Sequence, residues 1–163
     1  MTTLPRRDSI APAFSTSAVR VLGRTEVGSP DIVRRLAMRV VRIFTTGAGG
    51  SAIEVRRIPM TGDARPASQT FRCESIFFRE TPQGHEQDYH NAPRRQLIFL
   101  TSGILEIEAS DGRRVVCRPG DLIFAEDLEG KGHITRSLRD VRGFAHVAMS
   151  EDFDVAAWPL DQS

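Results

Sequence analysis

From residue 38 onward, turn-forming residues interrupt the chain roughly every ten positions, and the segments between them are too short for anything but strands. MRVVRIFTT runs into a break at Gly47–Gly50, and SAIEVRRIPM leads into a loop over 59–70 that holds Pro59, Gly62 and Pro66. ESIFFRETP stops at Pro82 and Gly84; RQLIFLTSG, ILEIEAS, RRVVCRPG, DLIFAED, GHITRSL and RGFAHVAM follow. Asp111-Gly112, between ILEIEAS and RRVVC, is the strongest hairpin signal, because a two-residue turn needs residues that tolerate positive φ. Leu105, Ile107 and Ala109 alternate with Glu106 and Glu108, which describes a strand with one wet face. No stretch after residue 37 keeps a helical period for about ten residues, so the spacing predicts an all-β sandwich or barrel.

Residues 1–37 read differently. Ser, Thr, Pro and Arg are scattered through them without a period of 2 or 3.6, which predicts a partly disordered N-terminal extension. Ser29-Pro30-Asp31 is a good helix start, and Ile32, Val33 and Leu36 supply about two apolar turns. The Arg- and Ser-rich composition fits a transit peptide. A start codon read too far upstream of Met38 fits as well, and a dispensable leader is the reading taken. The barrel domain is expected over 38–150. An acidic tail follows over 151–163, with Trp158 anchoring it onto the barrel or a partner subunit.

At 163 residues, one domain is expected. With 22 basic and 21 acidic side chains the net charge is +1, so no global field favours nucleic acid or a membrane surface. There is no helix-turn-helix pattern, no basic stripe and no run approaching the ~20 apolar residues of a membrane span. No secretory apolar region opens the chain, and the expected location is cytoplasmic. Cys73 and Cys117 sit in apolar strand contexts, where buried, reduced thiols are expected.

Two stretches carry chemistry. The first, DYHNAPRRQLIFLTSG, ends at Gly103; the second, RPGDLIFAEDLEGKGH, opens with Pro119, Gly120 and Asp121 and closes with His133. Together they resemble the paired motifs of the cupin superfamily, and in particular small bacterial cupin-domain proteins with an RmlC-like jelly roll. The resemblance covers residues 38–149 and implies a double-stranded β-helix whose working site is the barrel interior. Cupins that bind a divalent metal use three histidines and a glutamate. Matched to that pattern, His90 and His133 are kept, but Ala92 and Gln96 stand in two of the four places. The resemblance therefore implies an optional, weakly held Zn, Mn, Fe or Ni on His90, Gln96 and His133 with water, and histidines in a hydrated cavity otherwise. His85 and His146 are the remaining imidazoles that could replace a ligand.

Other polar residues near these motifs are candidates in their own right. Arg94 and Arg95 precede Gln96, and alternation requires one of two adjacent strand residues to point inward, where a guanidinium would suit a carboxylate or enolate oxygen. Glu126 follows the apolar run LIFA and is expected near Phe124 and Phe99 as a general acid or base. Asp127, just ahead of Gly130, is read as a turn or capping residue. Lys131, the only lysine, is either a solvated tip or a cation reaching over the cavity.

Two functions follow from these residues. One is an isomerase, cyclase, lyase or epimerase acting on a small polar or anionic molecule, with His90, Glu126 and His133 catalytic and Arg94, Arg95, Gln96 and Lys131 holding substrate. The other is a sensor or binding module without turnover. Exposed sheet edges in so small a barrel lead us to expect a homodimer. Deleting residues 1–37 should leave the melting temperature nearly unchanged. A fall of more than roughly 5 °C, worth about 1 kcal/mol, would show that the leader packs on the barrel.

Overall fold

The computed structural model describes residues 38–162, so the leader and its expected helix lie outside the described residues. The described chain is all-β, with eight strands: β1 (Arg39–Thr45), β2 (Ser51–Arg57), β3 (Cys73–Thr81), β4 (Glu86–His90), β5 (Gln96–Ala109), β6 (Arg114–Cys117), β7 (Leu122–Glu126) and β8 (His133–Met149). They form one mixed sheet in the order β2-β1-β7-β5-β8-β3, with β4 on β8 and β6 on β5. Only the β1–β7 pair is parallel. Among the described residues, no helix is long and apolar enough to cross a membrane.

Two segments that the turn signals divide are single long strands. RQLIFLTSG and ILEIEAS join as β5, and GHITRSL and RGFAHVAM join as β8. The two pair from Ala109↔His133 to Gln96↔Ala148, with register shifts between Leu100 and Leu105. Those shifts bend the pair, and Gly103 sits at the bend with φ +77°. A β-carbon there would lie 2.9 Å from Arg142 Cγ and 3.0 Å from the Val141 carbonyl. Ser102 Oγ clamps the same bend, accepting from the Gly143 N–H at 2.8 Å and donating to the Val141 carbonyl at 3.1 Å. Gly103 thus breaks no strand; it lets two strands bend together. β4 has too little apolar content to be seen as a strand in the sequence.

Alternation sorts the side chains onto two faces. Val41, Ile43, Leu105, Ile107, Ile123 and Ala125 pack on the inner face of the curled sheet. Val40, Leu122, Phe124 and Met149 pack on the outer face, under Phe153, Val155 and Trp158 of the tail. Phe153 meets both Phe124 and Trp158 edge-on, with centroids 5.0 and 5.4 Å apart. Arg57 N–H donates to the Pro159 carbonyl and Asp161 N–H to Val55, so the tail runs on along the outer edge of β2. Trp158 therefore anchors the tail onto its own barrel and is buried there; it is not offered to a partner subunit. Of the two free thiols, Cys117 is buried and burial pushes its pKa up to about 12. Cys73 is exposed, contrary to expectation, because it opens an edge strand whose only neighbour is β8.

The bend gives a direct test. Gly103→Ala should cost about 1 kcal/mol or more, since it adds both a left-handed penalty and a clash with β8, and should lower the melting temperature by at least ~3 °C. Gly47→Ala, with open space around the added carbon, should change it little. Equal melting temperatures for the two variants would remove the bend from its structural role.

Candidate functional site

The inner face of the curled sheet encloses a cavity of about 320 Å³, reached by side chains of β1, β3, β4, β5, β7 and β8. All four histidines of the chain (His85, His90, His133 and His146) line it, as do Arg79 and Arg142. Among the described residues, no Asp or Glu does. The walls between these groups are apolar, with Ile98, Ile107, Ile123 and Phe144 among them.

At one end, His90 and His133 are cross-strand partners of β4 and β8, and their ring centroids lie 4.4 Å apart. The Gly-Lys-Gly turn brings His133 there. Gly132 has φ +72°, and any β-carbon on it would lie 2.2 Å from the His90 carbonyl oxygen. Ser51 Oγ donates to the Gly132 carbonyl at 2.6 Å, and Lys131 N–H donates to Gly49, which ties the turn to the start of β2. Behind His133 lies fully buried Asp127, whose Oδ2 is 2.6 Å from His133 Nδ1. Asp127 is held by its backbone: its carbonyl accepts from Ala92 N–H and Asn91 Nδ2. Its other carboxylate oxygen, Oδ1, has no partner. His90 Nδ1 faces the Asp88 carbonyl at 2.9 Å. Burial lowers the pKa of His90, partly offset by the hydrogen bond to the Asp88 carbonyl, with a lesser lowering from His133 and a lesser raising from Asp127.

At the other end, β3 and β8 pair Phe77 with His146, Arg79 with Phe144 and Thr81 with Arg142. Phe77 stacks on His146 at 4.6 Å and 6°. Gln96 Oε1 lies 3.4 Å from His146 Nδ1, and His146 Nε2 is buried without a partner. Burial, and then the Arg79 charge, hold the His146 pKa down at about 4. Arg142 is 3% exposed and Nε on its guanidinium has no partner. Its NH2 group reaches the His85 carbonyl at 3.5 Å.

Several expected site residues lie elsewhere. Glu126 points to the outer face, where it accepts from Arg42 Nε at 2.6 Å and from Arg95 at 3.1 Å. Alternation explains it: Ile123, Ala125 and Asp127 face inward, so Leu122, Phe124 and Glu126 face out. The inward carboxylate is Asp127, which is no mere turn residue. Neither arginine of the Arg94-Arg95 pair lines the cavity. β5 starts at Gln96, which points in; Arg95 is therefore outward, on the carbonyls of Glu151 and Phe153, and Arg94 is exposed in the loop before the strand. Lys131 stacks over the Tyr89 ring at 4.2 Å and also lies off the cavity lining. Arg79 and Arg142 are the cavity's cations, and the alternation of Phe77/Arg79 and of Arg142/Phe144/His146 was the signal for them.

The ligands that the resemblance implies for a metal are His90, Gln96 and His133. His90 and His133 come together, but Gln96 is engaged with His146. Among the described residues no group of three or more His, Cys, Asp or Glu is placed to hold a metal ion.

The His146 environment predicts a pH dependence. Its folded pKa of about 4 lies below the ordinary 6.5, so between those values the unfolded chain takes up the proton first. The stability contributed by neutral His146 is complete above about 6.5 and is lost as pH falls towards 4. The His146 Cε1 proton resonance should stay fixed from pH 8 to about 5.5, and a midpoint near 6.5 would contradict the burial of its ring.

No family model and no curated protein matches the chain. Among solved structures it is similar to an RmlC-like cupin from Shewanella frigidimarina, at 17% identity over 70% of this chain and 89% of that one, with a TM-score of 0.35. It is also similar to dTDP-6-deoxy-D-glucose-3,5-epimerase RmlC from Legionella pneumophila, at 13% identity over 76% and 86%, with a TM-score of 0.38. An RmlC-like cupin from Desulfovibrio desulfuricans aligns at 12% identity over 86% and 97%, with a TM-score of 0.33. These are likenesses of fold, and the chemistry below is drawn from this chain's own side chains.

Proposed function

We propose that this protein is an enzyme that moves a proton on a small organic molecule held in the cavity, a reaction of the isomerase, epimerase, cyclase or lyase type. The observation that carries this reading is the buried 2.6 Å contact between Asp127 and His133. A carboxylate there accepts the Nδ1–H of the imidazole and leaves Nε2 with its lone pair, the arrangement a general base needs. When His133 takes a proton from substrate, the Asp127 charge stabilises the imidazolium; when it returns the proton to another position or face, the substrate leaves rearranged. His90 stands beside it. The Asp88 carbonyl accepts its Nδ1–H, and burial lowers its pKa, which favours the neutral ring beside His133. Burying a carboxylate with one oxygen unpaired is costly, and a stabilising role alone would be met better by an apolar residue.

Incubation with small hydroxy, keto and sugar-acid substrates in D2O, followed by proton NMR, tests the proposal. Loss of a C–H signal or formation of product is expected for at least one compound. Asp127→Asn should slow that reaction by about 10²- to 10⁴-fold and His133→Gln by at least as much, with binding retained. A compound that saturates the cavity and undergoes neither exchange nor turnover would favour the binding or sensor reading.

A further inference from the structure

We propose that the cavity selects hydroxycarboxylic acids, seating the carboxylate on Arg142 and a hydroxyl on His146. This deepens the proposed function and rests on the cavity being the working site. Two buried polar atoms in its lining have no partner, and they differ in kind. Arg142 Nε is a donor. His146 Nε2 is an acceptor, since Gln96 Oε1 accepts from the Nδ1–H of the same ring. Both residues are more than nine-tenths buried, at 3% and 8% exposure. A ligand that satisfies both must present an acceptor to one and a donor to the other.

Charge decides what the acceptor is. Arg142 and Arg79 both line the cavity, and among the described residues neither has a carboxylate partner. With no Asp or Glu in the lining, nothing inside neutralises them. An unpaired buried guanidinium favours an anion strongly, and a carboxylate fits its planar fork. The donor is a hydroxyl because Gln96 Oε1 takes the Nδ1–H of His146, which leaves Nε2 to accept. Phe144 sets the spacing. It lies between the two residues on the same face of β8, with the Arg142 guanidinium 5.5 Å and the His146 ring 5.6 Å from its centroid. The ligand then lies across the Phe144 ring, with Arg79 opposite on β3.

Isothermal titration of the full chain with lactate, malate, mandelate and gluconate tests this. At least one should bind with Kd below about 1 mM, its amide and its deoxy analogue should bind at least 10-fold more weakly, and methyl phosphate should not compete. Arg142→Gln should weaken the acid about 10- to 100-fold without affecting the amide. Because Arg142 packs on Gly103, its melting curve is recorded in parallel; if that variant does not fold, Arg79→Gln and the acid–amide comparison carry the test, again with a loss expected only for the acid. Failure of all four acids to bind, amides binding as well as acids, or methyl phosphate binding more tightly would each overturn the assignment. Binding that depends on Arg142 without any proton exchange would keep this inference and remove the enzyme. Exchange on uncharged molecules alone would do the reverse.

Discussion

The pairing of β5 with β8 is the interaction on which the rest of the structure depends. These are the two longest strands, and every other strand except β2 hydrogen-bonds to one of them or, in the case of β1, to their neighbour β7. A straight pair of that length would give a flat ribbon with no interior. The bend at Gly103, clamped by Ser102, turns the ribbon so that its two arms look at one space, with His133 on one arm and Arg142, Phe144 and His146 on the other. The absent side chain at Gly103 is also what admits the Arg142 methylenes. One residue thereby shapes the cavity and places its most buried cation.

Electrostatics inside that space are one-sided. Acidic groups are plentiful on the outer surface, where Glu106 and Glu108 meet Arg114 and Arg136 across strands. Inside, among the described residues, they are absent from the lining, and Asp127 sits behind an imidazole. Burial lowers the pKa values of His90 and His146, which keeps the cavity polar without filling it with charge. The two arginines then dominate its field.

The sequence was informative about the fold because turn chemistry and alternation are local. Gly47–Gly50, Pro82 and Asp111-Gly112 each end a strand where the hydrogen bonding ends it. Gly103 misleads because a glycine that bends a strand looks the same as one that stops it. At the site, His90 and His133 were legible from the motifs, and Gln96 faces the cavity as alternation requires. Glu126 faces out and Asp127 in, because inward parity along β7 runs through Ile123 and Ala125. Neither Arg94 nor Arg95 points inward, because both lie ahead of the strand, which starts at Gln96. Arg142 and Arg79 are marked in the sequence only by the alternation along RGFAHVAM and ESIFFRET, and only the three-dimensional neighbourhood shows that neither has an acid opposite it.

Arg95 joins two parts of the molecule that otherwise look unrelated. It holds the carbonyls of Glu151 and Phe153 with the same guanidinium that grips Glu126, the residue next to Asp127. Under β7, Phe153 and Trp158 fill the space against Phe124, each worth about 1.5–3 kcal/mol of burial. The last dozen residues are thus a splint on the reverse side of the strand that delivers the buried carboxylate. A premature stop in that stretch, or a fusion partner that pulls it away, would be felt as a slackened Asp127–His133 contact on the far side of the sheet, though no residue of the cavity had been touched.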